Sequence, residues 1–215
     1  MIAKLHYISQ GESSALHLEN IGRMLDAGCK WVQLRLKDYP IEIIEDTARA
    51  AVKLCRNAGA TIIINDHVSI AAKVGADGVH LGSSDTDPKV ARKILVSGFI
   101  IGGTANTLED CIRLQLAGVD YIGLGPLRFT TTKKKLSPVL GISGYRKLLQ
   151  EYRQDGGSLP IIAIGGIIAA DLQDLYRAGL HGVAVSGWLT ESDFPSERID
   201  QINRTFEKES IWSQF

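Results

Sequence analysis

The segment Ala27-Gly28-Cys29-Lys30-Trp31-Val32-Gln33-Leu34-Arg35-Leu36-Lys37-Asp38 places a helix ending directly ahead of a strand. Upstream of it, Leu18, Ile21 and Leu25 recur at spacings of three and four, which gives a helix one buried stripe. Ala27-Gly28 then supplies the small residue and the glycine that suit a left-handed helix stop. Beyond the stop, polar and apolar residues alternate with period two, the mark of a strand. The same ending recurs at Ala58-Gly59, Ala117-Gly118 and Ala178-Gly179, each shortly before a strand-like run.

Eight such runs alternate with helical patterns: Lys4 to Ser9, Trp31 to Leu36, Ala60 to Ile64, Gly78 to Leu81, Phe99 to Gly103, Tyr121 to Leu124, Pro160 to Ile164 and Gly182 to Ser186. Helices of about 10 to 17 residues between short strands are crossover connections, which join parallel strands. The pattern predicts an α/β fold, a single (β/α)8 barrel of the TIM type, with residues 1–215 as one domain. An open doubly wound sheet shares this periodicity and is the alternative. The segment Asp66 to Val74 is short for a barrel helix.

The 24 basic and 24 acidic side chains cancel, so no basic arm for nucleic acid is expected. With 45% hydrophobic and 22% charged residues, the chain has the composition of a globular protein and not of a disordered one. Its apolar runs fall far short of the roughly 18 residues that cross a bilayer, and the N-terminus lacks the features of a secretory signal. A cytoplasmic protein without a membrane partner is expected. Cys29, Cys55 and Cys111 are odd in number and far apart, and read as buried thiols. The tail Ile211-Trp212-Ser213-Gln214-Phe215 carries two aromatics that would pack on the barrel base or on a second copy in a homo-oligomer; the sequence does not choose.

A parallel barrel builds its site at the carboxyl ends of its strands. After the second strand, period two sends Gln33, Arg35 and Lys37 to one side and Leu34 and Leu36 to the other. If the leucines face the helices, two cations and an amide point into the mouth, where an anion such as phosphate would compensate them. Pairing with Asp38 or other rim acids is the plainer alternative. Asn65-Asp66 after the third strand and Asp85 after the fourth would share that face. Two hard oxygen ligands suit Mg2+ at a diphosphate, although Asn-Asp after a strand is equally a helix cap. His80, inside a strand pattern, reads as a hydrogen-bonded core histidine. The fifth strand ends near Thr104, a further donor. After the sixth strand, Arg128-Phe129-Thr130-Thr131-Thr132-Lys133-Lys134-Lys135 offers hydroxyl and ammonium donors for an anion, or is a solvated basic turn. The last two strands end in Gly165-Gly166 and Ser186-Gly187, the corner where such barrels commonly hold phosphate. Two facing anion sites suggest two phosphorylated substrates, one of them a diphosphate.

Together, Gln33 to Asp38, Asn65-Asp66, Gly78-Val79-His80-Leu81-Gly82 with Asp85, Gly123 to Pro126 followed by Thr130 to Lys133, and Ala163 to Ile167 resemble the thiamine phosphate synthase family, in that family's order and over nearly the whole chain. The resemblance implies a barrel transferase that joins hydroxymethylpyrimidine diphosphate to a thiazole phosphate, carboxylated or not, with Mg2+ as cofactor. It implies that Gln33, Arg35, Lys37 and Asn65 contact the pyrimidine diphosphate and that Asp66 and Asp85 bind the metal. Thr104 would replace a serine contact. Thr130, Thr132, Gly166, Ser186 and Gly187 would meet the thiazole phosphate, and Lys133 the diphosphate, with Arg35, Lys37 and Lys133 stabilising the leaving group. Ser83 stands where the family commonly has glutamine, Arg128-Phe129 alters the stretch before the threonines, and Gly187 lacks an expected serine hydroxyl. The related thiazole tautomerase would have little use for the cation and carboxylate set, and its histidine near the end of the sixth strand is replaced by Pro126-Leu127-Arg128. A non-catalytic regulator that binds a thiamine precursor would not need Lys133 or the metal ligands.

Overall fold

A computed structural model of the chain describes residues 2–129 and 138–207. Thr130, Thr132, Lys133 and the aromatic tail at 211–215 lie outside the described residues. All eight strand-like runs form strands: β1 (Leu5–Ile8), β2 (Trp31–Leu34), β3 (Thr61–Asn65), β4 (Gly78–Leu81), β5 (Ile100–Ala105), β6 (Tyr121–Leu124), β7 (Ile161–Ile164) and β8 (Gly182–Val185). Each pairs with the next in parallel, and β8 pairs with β1 at Val183 with Leu5 and Ala184 with His6. The sheet is therefore a closed barrel, which settles the choice against an open sheet.

Among the described residues the helices are α1 (Ser14–Asp26), α2 (Ile41–Asn57), α3 (Val68–Val74), α4 (Pro88–Ile94), α5 (Leu108–Leu116), α6 (Gly141–Gln154), α7 (Leu172–Arg177), α8 (Gly187–Thr190) and α9 (Pro195–Phe206). The repeated small-residue and glycine endings act as expected: Ala27, Ala58, Ala117 and Ala178 cap α1, α2, α5 and α7, and the glycine after each has positive φ. None of the described helices is long and apolar enough to cross a membrane. Cys29, Cys55 and Cys111 are free and buried, and burial pushes all three thiols up, Cys29 to about 11 and the others to about 12.

Period two sorts each strand between two cores. Val32, Leu34, Ile62, Ile64, Val79 and Leu81 pack outward under the helices. Ile8, Trp31, Ile63, Tyr121, Ile162 and Ala184 fill the barrel interior. His6 lies flat on Trp31, ring centroids 3.7 Å apart, and meets the edge of Tyr121 at 5.7 Å. Gly102 is required beside them, because a Cβ there would come within 2.1 Å of the Tyr121 ring. This aromatic layer forms the floor beneath the mouth.

Burial holds His6 well below its ordinary 6.5, and it also lowers His17 and His181. Above about pH 6.5 these imidazoles are neutral in both folded and unfolded chains; below it the unfolded chain takes up protons that the native chain refuses, so stability falls as pH drops. Thermal unfolding followed from about pH 7.5 to about pH 5 is expected to show a falling midpoint, with a shallower slope in His6→Phe. A midpoint that does not fall over that range would contradict the buried neutral state.

Candidate active site

Three strand ends, β2 to β4, bring the charged groups of the mouth together. Gln33 is buried within β2, on the interior face with Trp31, while Leu34 and Leu36 pack into the outer core as the alternation requires. The strand stops at Leu34, so Arg35 needs another anchor. Its N–H donates to Ser9 Oγ at 3.0 Å, and that hydroxyl pairs with His17 Nδ1 at 2.8 Å. Burial lowers the Arg35 guanidinium from its ordinary value, and the Asp66 and Asp38 carboxylates oppose that shift. Lys37, half exposed, donates from Nζ to Asp66 Oδ2 at 2.6 Å. The cations are thus paired at the rim, and Asp66, the expected metal ligand, is among their partners.

Asn65 closes β3, only 6% exposed, and its Nδ2 has no hydrogen-bond partner within the described residues. A buried amide left without an acceptor is costly unless a ligand supplies one. Asp66 follows at φ 66°, a left-handed conformation that side chains rarely adopt, with its N–H donating to the His80 carbonyl at 2.9 Å. It is not a helix cap: α3 starts at Val68 after His67, and no side chain caps it. Asp85 reaches the same place from beyond β4, its Oδ2 accepting from the Gly82 N–H at 2.6 Å. Burial raises Asp85 above its ordinary 3.8, as does hydrogen bonding to the Asp66 carboxyl, whereas the Gly82 N–H and Lys37 act the other way.

Two carboxyl groups forced together from adjacent strand ends form a donor set that a divalent cation would relieve. Among the described residues no cluster of three or more His, Cys, Asp or Glu side chains could form an all-protein cage. A pair of carboxylates that leaves further positions to water and phosphate oxygens fits Mg2+.

His80 is a buried, hydrogen-bonded interior residue as expected. Its Nδ1 is 2.9 Å from the Tyr121 hydroxyl and its Nε2 is 2.9 Å from Thr104 Oγ1. Burial raises the Tyr121 hydroxyl well above its ordinary 10, so it keeps its proton. If Tyr121 donates to Nδ1, then Nε2–H donates to Thr104 and leaves the Thr104 hydroxyl proton free to serve a ligand.

At the opposite corner Gly165 and Gly166 turn with φ 97° and 69° directly after β7. Ser186 follows β8, and its hydroxyl donates to Gln10 Oε1 at 3.0 Å; Gly187 opens α8. Three residues of the mouth escaped sequence reasoning. Gln10 and Ser9 lie just past β1 and Asp171 just before α7, with no distinguishing pattern in the sequence.

A closed parallel barrel with paired carboxylates and cations at one side of its mouth and a glycine turn at the other is of the class of barrels whose strand ends can hold anionic ligands. The chain belongs to the thiamine monophosphate synthase family, whose model matches residues 5–189. It is 45% identical to a thiamine-phosphate synthase of Flavobacterium psychrophilum over 95% of this chain and 99% of that one. Over 94% of this chain and 96% of the relative, it is 47% identical to the thiamine-phosphate synthase of Flavobacterium johnsoniae. Among solved structures, a thiamine phosphate pyrophosphorylase from Pyrococcus furiosus superposes with a TM-score of 0.80 at 26% identity, covering 95% of this chain and 96% of that one. Likeness to a 3-hexulose-6-phosphate synthase, TM-score 0.68 at 16% identity over 94% and 99% of the two chains, concerns the fold alone.

Thr104→Ser keeps the hydroxyl and is expected to retain stability and turnover to within about twofold. Thr104→Val leaves the buried His80 nitrogen without its partner and is expected to cost about 1–3 kcal/mol in denaturant unfolding. Equal stability of the two variants would remove the His80–Thr104 bond from this account.

Proposed function

We propose that the protein is a thiamine-phosphate synthase that joins hydroxymethylpyrimidine diphosphate to a thiazole phosphate and releases diphosphate. The observation that carries this reading is the convergence of Arg35, Lys37, Asn65, Asp66 and Asp85 on the rim formed by β2, β3 and β4. An amide nitrogen without an acceptor among the described residues, a half-buried guanidinium and two crowded carboxyls in one place suit a polyanion delivered with a divalent ion. Mg2+ held by Asp66 and Asp85 would neutralise charge on the diphosphate.

The reaction needs little covalent help from the protein. The bond between the pyrimidine methylene carbon and the diphosphate oxygen breaks, and its electron pair leaves with the diphosphate. The electron-rich aminopyrimidine carries the resulting cation until the thiazole nitrogen donates its lone pair to the same carbon. Arg35 and Lys37, with Lys133, stabilise the leaving group, while Gln33, Asn65 and Thr104 hold the pyrimidine diphosphate in place. Lys37 must exchange part of its contact with Asp66 for the diphosphate, so the ion pair of the free protein is a resting arrangement. Thr130, Thr132, Gly166, Ser186 and Gly187 take the thiazole phosphate. The three free, buried cysteines agree with work in a reducing compartment such as the cytoplasm.

A diphosphate-release assay with both substrates tests this reading. Release is expected only when both substrates and Mg2+ are present, to stop on chelation and to return when Mg2+ is restored. Asp66→Ala and Lys133→Ala are each expected to lower kcat about a hundredfold or more without unfolding the protein, the scale of losing one stabilising group for developing charge. Wild-type rates in both variants would overturn the assignment. Binding of the thiazole phosphate with no diphosphate release on adding the second substrate would instead indicate a non-catalytic binding protein.

A further inference from the structure

Arg128 stands just past β6, and the structure gives it a defined task. Both terminal nitrogens of its guanidinium donate to Asp171, one to Oδ2 and one to Oδ1, each at 2.6 Å. The same guanidinium donates to the Gly166 carbonyl. Asp171 is buried, and its Oδ2 also accepts the Ile168 N–H at 2.8 Å. The main chain runs in parallel with these contacts, for Leu127 N–H donates to the Ile164 carbonyl at 2.9 Å and Arg128 N–H to the Gly165 carbonyl at 3.2 Å. A Cβ on Gly166 would meet Arg128 Cγ at 2.5 Å, so a glycine is needed for the arginine stem to cross the turn.

The two carbonyls that Arg128 holds belong to the peptides whose N–H groups come from Gly166 and Ile167. In a trans peptide the N–H points away from its carbonyl, so tying down both carbonyls also fixes the direction of both donors. Gly165 and Gly166 have positive φ, a conformation glycine adopts without strain but leaves as easily, and the turn therefore depends on outside bracing.

We propose that Arg128 and Asp171 form a clamp that holds the turn after β7 in shape to bind the phosphate of the thiazole substrate; Arg128 is a positioning residue and does not itself touch that phosphate. The proposal rests on the synthase reading above and adds to it a determinant of thiazole-phosphate affinity. Burial raises the Asp171 carboxyl, but the guanidinium and the Ile168 N–H outweigh burial and hold it below its ordinary 3.8, so the pair stays charged near neutral pH.

Steady-state kinetics of Arg128→Met, Asp171→Asn and the double variant test the clamp, with thermal unfolding recorded for each and Arg128→Lys as a milder change. Each single variant is expected to raise KM for the thiazole phosphate about tenfold, the scale of one displaced hydrogen-bond donor. KM for the pyrimidine diphosphate and kcat at saturation should stay within about twofold. The double variant should be no worse than the poorer single, because both substitutions break the same brace. An unchanged or lower thiazole-phosphate KM in Asp171→Asn, beside a raised one in Arg128→Met, would mean that the guanidinium contacts phosphate directly and would overturn the proposal. So would unchanged KM values in all variants, or an equal rise in both KM values. A wild-type protein that released no diphosphate would refute the synthase reading instead; calorimetric titration with thiazole phosphate would then still decide the clamp, which requires about tenfold weaker binding in both single variants.

Discussion

The Lys37 ammonium sits 2.6 Å from the Asp66 carboxylate, and the neighbouring Asp66 carboxyl helps to raise that of Asp85. The rest of the mouth is arranged around this crowding of charge. Two carboxyls from the ends of two successive strands cannot be brought this close without a counter-charge, and among the described residues Lys37 and Arg35 supply it. One more positive ion would balance the carboxylates and one polyanion would balance the cations, so the arrangement is complementary to a metal diphosphate before one arrives. The left-handed conformation of Asp66 is consistent with that view. A non-glycine residue held at φ 66° at the end of a strand is costly, and strain of this kind concentrates where a side chain must be aimed.

Beneath the charged rim, the barrel interior changes from apolar to polar in steps. Trp31, His6 and Tyr121 pack face to face and edge to face at the floor. His80 connects that floor to Thr104 through two hydrogen bonds, and Gln33 and Asn65 lie on the same inner face above it. A neutral aromatic floor keeps water from beneath the site, which strengthens the electrostatic interactions at the rim. His6 is suited to this only as a neutral ring, because a charge there would have no partner.

Most of the framework could be read from the chain. The four alanine-glycine helix stops and the eight β-branched runs placed every strand, with ends shifted by no more than two residues. Closure of the barrel could not be read, because it depends on the pairing of β8 with β1, which local periodicity does not encode. The burial of Gln33 and the packing of Leu34 and Leu36 into the outer core followed from alternation. The anchoring of Arg35 through Ser9 and His17 did not, since those contacts join residues far apart in sequence. In the sequence Arg128 was one more cation in a polar, basic stretch after the sixth strand. Its meaning came from Asp171, 43 positions away, which has no feature in the sequence to mark it as a partner.

The most direct test of the central claim is a crystal structure of the protein soaked with Mg2+ and inorganic diphosphate. The ion is expected between the carboxylates of Asp66 and Asp85, with diphosphate oxygens against Arg35, Lys37 and the amide of Asn65. Diphosphate bound elsewhere on the barrel, or an ion that leaves those two carboxylates untouched, would contradict it.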